Sequence, residues 1–147
     1  MTAHPILTSL HGRLSGLDKS GVPVAKAKID GFTITPAAGA SNVGTVTIQA
    51  NDPEGNALAV SSVVLCWLSD AATGIGISTH AGTSAATAST GAIMGIETTG
   101  LAWLVQLDAT GKAVLSLTDT GKNGTYFTIQ GPNRDEPQVA ASVCVYG

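Results

Sequence analysis

Charged and aromatic side chains are scarce: of 147 residues, 12% are charged and 4% aromatic, with two each of Phe, Trp and Tyr. That excludes the basic, aromatic-studded face on which nucleic acid is held by counterion release and base stacking. Cysteine is nearly absent too, and with only Cys66 and Cys144 and no export signal, both are read as reduced core residues rather than a disulfide. The opening "MTAHPILTSLHGR" lacks a basic segment followed by a sustained apolar run, which argues against a secretory leader. The longest uncharged stretch, Ala71 to Ile96, is filled with Gly, Ser and Thr and is unfit to span a bilayer. The expectation is a soluble protein made in a cytosol, with no membrane and no nucleic acid among its partners. Long helical periodicity is missing as well.

What remains is a chain of 18 glycines and many Ala, Ser and Thr residues, long enough for one domain with a real core. Its surface should be neutral and polar, which suits close packing against other protein. The net charge of −3 is unevenly spread. Residues 1 to 40 carry Arg13, Lys19, Lys26 and Lys28 against Asp18 and Asp30, giving +2, and the remainder carries three basic and eight acidic residues, giving −5. A mildly basic arm on a mildly acidic body can help subunits adhere, although a solvated tail accounts for the same charges.

From Val43 onward, runs of five to eight residues with β-branched alternation are separated by clusters of Gly, Asn, Asp or Pro. This rhythm predicts antiparallel strands at 44–50, 61–68, 92–98, 102–108, 113–118, 125–130 and 138–146. Seven strands predict an all-β fold, a two-sheet antiparallel β-sandwich of immunoglobulin-like kind (residues 41–147) carrying an extended N-terminal arm (residues 1–40). "DATGK" and "TGKNG" have hairpin or bulge composition. Val46 and Ile48 alternate with Thr45, Thr47 and Gln49, so one face is dry and the other wet. "VVLCWL" does not alternate, so that strand needs cover on both faces, with Cys66 and Trp67 pointing to opposite sides.

Two segments break the rhythm. Between Ser69 and Gly91, 19 of 23 residues are Ala, Gly, Ser or Thr, which predicts a long loop able to lie against a neighbouring subunit. In the arm, Ala25, Ala27 and Ile29 alternate with Lys26, Lys28 and Asp30 before Phe32 and Ile34, so one or two strands there would need a sheet edge in the chain's own body or in a neighbour.

The oxygen-rich "NDPEGN" (51–56) lacks the alternating ligands and closing bidentate carboxylate of a calcium loop, and as a turn it makes immediate sense. His4, His11 and His80 have no ligand partners at zinc spacing. Ser78 and His80 in "GISTHAG" fall short of a nucleophile elbow, and "TGKNGT" falls short of a phosphate loop. "NGT" at Asn123 is a glycosylation sequon only in an exported eukaryotic chain. Trp67 is assigned to the core, whereas Trp103 is left between burial and an exposed stacking platform. No catalytic, cofactor-binding or metal set assembles, so no enzyme and no cofactor are expected.

"VTIQANDPEGNALA", "VVLCWLSDAATG" and "LDATGKAVLSLTDTGKNGTYFTI" together resemble the immunoglobulin-like β-sandwich modules of tailed-bacteriophage virion proteins, over Val43 to Gly147. The resemblance implies a structural role without cofactor: a capsid decoration (cement) protein on the outer capsid surface, assembled in the bacterial cytoplasm, or a tail or head fibre or adaptor component. Its partners would be the major capsid protein or another virion protein, and further copies of itself as a homo-oligomer. A carbohydrate-binding or adhesin sandwich is the alternative of a different class. The candidate interface residues are Lys26, Lys28, Ile29, Phe32 and Ile34 of the arm, Ile75 and Ile77 of the small-residue loop, and Trp103.

Overall fold

The computed structural model describes residues 28–80, 85–132 and 136–147. They form nine strands: β1 (Gly31–Ala38), β2 (Val43–Asn51), β3 (Val63–Ser69), β4 (Ala85–Thr90), β5 (Ala92–Thr98), β6 (Ala102–Gln106), β7 (Lys112–Thr118), β8 (Tyr126–Gln130) and β9 (Gln138–Val139). Every pairing is antiparallel, in a four-stranded sheet of order β1-β2-β7-β4 and a five-stranded sheet of order β5-β6-β3-β8-β9. The fold is a two-sheet β-sandwich. Its central pairs β2–β7 and β3–β8 correspond to the B–E and C–F pairs of an immunoglobulin domain, with β1 and β9 flanking them. It departs from that plan where the chain visits β4 in the first sheet before the β5–β6 hairpin completes the second.

Period-2 patterning builds the core. β2 buries Val46, Ile48 and Ala50, and β7 buries Ala113, Leu115 and Leu117, while their intervening residues are only half-buried. Facing them from the second sheet are Val64, Cys66 and Leu68 of β3, Trp103 and Val105 of β6, and Phe127 and Ile129 of β8. These close-packed apolar layers supply the main driving force for folding.

Three expectations are corrected. The span expected to be arm contains β1, which pairs with the chain's own β2 from Gly31↔Asn51 to Ala38↔Gly44. Ile29 and Phe32 are 5% and 2% exposed and belong to the sandwich core, and Ile34 packs partly buried against it. A buried side chain has no surface to offer a neighbour, so Ile29 and Phe32 are not interface residues. Gln138 fixes this start of β1 across the sheets: the Phe32 amide donates to its Oε1 at 2.7 Å, and its Nε2 donates to the Phe32 carbonyl. Secondly, the small-residue stretch contains an edge strand, β4, against β7, with a bulge between Ala88 and Thr90. Thirdly, the last expected strand is regular only at 138–139. Beyond it the chain keeps beside β8 through two bonds, Ala140 N–H to the Phe127 carbonyl (2.9 Å) and Cys144 N–H to the Thr125 carbonyl (2.7 Å).

Candidate functional site

Three of the loops share one construction. The Asp52 carboxylate accepts from the amides of Glu54 and Asn56 (3.0 and 2.8 Å), Asp108 from those of Thr110 and Lys112 (2.8 and 3.0 Å), and Asp119 from those of Gly121 and Asn123 (2.9 and 3.0 Å). Each aspartate therefore caps the amides two and four residues ahead of it, the side-chain mimic of a backbone turn. In the first two loops a glycine, Gly55 or Gly111, takes the left-handed position at φ 86° or 75°; in the third Lys122 takes it at φ 49°. Hydrogen bonds from the Thr110 hydroxyl and the loop amides hold the Asp108 carboxyl below the ordinary carboxylate range. The Asp52 carboxylate of "NDPEGN" thus serves the backbone of a turn.

A fourth aspartate gathers the residues that faintly suggested a nucleophile. Asp70 accepts from the Ser78 hydroxyl (2.6 Å) and from the Thr79 amide and hydroxyl (both 2.9 Å), and His80 Nε2 stands 3.6 Å away. The order is wrong for acyl transfer: serine donates directly to the carboxylate, and the imidazole is not between them to take its proton. The Ser78 hydrogen bond first, then the Thr79 amide, lower the Asp70 pKa to about 2, leaving a very weak base. Sequence reasoning paired Ser78 with His80 and missed Asp70, eight residues upstream of the serine.

These bonds position a strap across the outer face of the five-stranded sheet. Trp67 Nε1 donates to the Gly74 carbonyl at 2.9 Å, and the Ser78 amide donates to the Leu68 carbonyl at 2.7 Å. At Gly74 the strap approaches so closely that a Cβ would stand 2.7 Å from side-chain carbons of both Thr128 and Val139. It therefore covers the β8–β9 side and leaves the β3–β6 side open. There the outward residues Leu65 and Trp67 pair with Leu104 and Ala102. With Ile77 from the strap and Glu97 from β5 they line a groove of about 520 Å³, almost wholly apolar, with a single carboxylate. Val63, two residues before Leu65 on the same face of β3, is 49% exposed.

Of the two tryptophans, Trp103 takes the buried alternative and Trp67, assigned to the core, does not. Trp103 is 1% exposed, wedged between the sheets opposite Cys66, so it offers no platform and is withdrawn as an interface residue. Trp67 lies on the outer face, half-buried, opposite in sense to Cys66 as expected. Ile75 and Ile77 are 77% and 47% exposed, and Ile77 joins the groove. Lys28 is exposed at the start of the described residues, and Lys26 lies outside them. The groove residues Leu65, Trp67 and Leu104 were missed, although the unalternating "VVLCWL" carried the signal: a strand apolar on both faces needs two covers, and the strap supplies only part of the second.

Both cysteines are free and buried. Burial raises both thiol pKa values, that of Cys144 to about 11, so neither is a reactive thiolate. Among the described residues no group of three His, Cys, Asp or Glu side chains is placed to hold a metal ion, and no helix is long and apolar enough to cross a membrane. Comparison with family models, with curated proteins and with solved structures returned no match.

Proposed function

We propose that the chain is a structural module of a tailed-phage virion, a capsid decoration protein that binds the outer capsid surface and reinforces contacts between capsomers. The observation that carries this reading is the use made of its acidic side chains. Asp52, Asp108 and Asp119 each close their own turn, and Asp70 holds the strap, so these four carboxylates stiffen the body. A rigid sandwich with few charges on its surface suits repeated weak contacts with neighbouring subunits, multiplied by the symmetry of a shell. The resemblance of its turn and strand words to phage sandwich modules supplies the biological setting. Sugar binding is disfavoured because Trp103 is inaccessible and the groove around Trp67 is poor in hydrogen-bonding groups.

The test is to strip the protein from purified particles or omit it during assembly. Heat and osmotic resistance should fall and recover on adding it back. Unchanged resistance removes the decoration role, and immunogold labelling of tails alone moves the module to the tail.

A further inference from the structure

We propose that the outer-face groove is the docking site for residues 6–17 of the chain's own N-terminal segment. This does not depend on the virion reading. Among the described residues Leu65, Trp67 and Leu104 stay only half-buried along this groove, with Ile77 47% exposed at its side, and an apolar concavity left partly open is a place where apolar side chains dock. The chain itself supplies a matching occupant. Residues 1–27 lie outside the described structure, and within them Ile6, Leu7, Leu10, Leu14 and Leu17 place five large aliphatic side chains in twelve residues.

Charge points the same way. Residues 1–27 carry Arg13, Lys19 and Lys26 against Asp18, a net +2, whereas residues 28–147 carry four basic and nine acidic residues, a net −5. Arg13 falls among the leucines, and Glu97 is the groove's one carboxylate. The net opposition of segment and body favours encounter, and an Arg–carboxylate contact at the rim would fix its register.

The tether reaches. Phe32 is clamped to Gln138 of β9, so the segment departs beside the edge of the very sheet that carries the groove. From there the β3–β6 seam lies about three strand spacings and one sheet thickness away, on the order of 25 Å. The eleven residues from Leu17 to Lys28 extend to about 36 Å. A short tether holds the segment at an effective concentration in the millimolar range, far above that of any free copy in dilute solution. Docking within the chain is therefore favoured over exchange between copies.

The full-length protein allows a direct test, because Trp103 is shielded in the core and changes at Trp67 dominate the tryptophan signal. Wild type should show blue-shifted emission and protection from acrylamide. Leu10→Asp with Leu14→Asp should shift emission to the red and lose that protection while the thermal unfolding transition stays cooperative. The difference should vanish when both proteins also carry Trp67→Phe. Emission and quenching identical in the wild type and the folded double variant would overturn the proposal. A second measurement uses Leu10→Cys with Glu97→Cys and a short bismaleimide, the native thiols being buried. A link within one chain supports the proposal; a link between chains, or none, overturns it.

Discussion

Gly111→Ala and Gly55→Ala place the same methyl group on nearly the same backbone, in two loops of the same construction. Both glycines have left-handed φ, 75° and 86°. A Cβ in that region costs about 1–2 kcal/mol, partly offset by the lost flexibility of the unfolded chain, about 0.4–1 kcal/mol. For Gly55 nothing else opposes the change, since no atom lies within 4 Å of the added carbon. Its net cost should be about 1 kcal/mol.

For Gly111 the same carbon would stand 2.0 Å from the Leu58 carbonyl oxygen, a backbone atom that cannot swing aside. Separating them disturbs the Ala50 amide's bond to the Gly111 carbonyl and the Leu58 amide's bond to the Ala50 carbonyl, both 2.8 Å. Each is worth about 1 kcal/mol net, which brings the expected cost to about 3 kcal/mol. For a chain of this length that lowers Tm by about 9 °C, against about 3 °C for Gly55→Ala. Differential scanning calorimetry measures both. Equal shifts would refute the close approach of the 52–60 loop to the start of β7, and with it the way the first turn is seated on the body.

Other consequences follow from the same geometry. Lys122→Gly should raise stability by up to about 1 kcal/mol in urea unfolding, because Lys122 occupies the left-handed position that glycine fills in the sister loops. Asp70 has a folded pKa depressed to about 2 from 3.8, so its contribution is present above pH 3.8 and is lost as pH falls from there towards 2. A stability–pH profile should show that loss in the wild type and a smaller one in Asp70→Asn. Cys66 and Cys144 should resist a disulfide reagent in the native state, and both should react once the chain is unfolded in denaturant.

Much of the body was legible because its signals are local. Val46, Ile48 and Ala50 alternate strictly, and the Asp-headed turns announce themselves through Gly, Asn and Pro. β1 and β4 were harder because they are edge strands paired on one side only: "GFTITPAA" carries Pro36, tolerated at an edge, and "AATAST" lacks side chains large enough to show a period. The outward Trp67 has a different cause. Trp67 and Trp103 both sit in runs that are apolar on either side, so alternation alone does not say which parity faces inward. The register does: Cys66 opposite Trp103 turns both inward, and Trp67 opposite Ala102 turns both outward. The strap's seat on Thr128 and Val139 depends on residues more than fifty positions away, beyond the reach of local patterning.

Electron microscopy of particles with and without this protein tests the structural role most directly. The account predicts extra density at capsomer joints or as surface knobs on heads, present only when the protein is present and large enough for the sandwich. Heads with no added density would contradict it.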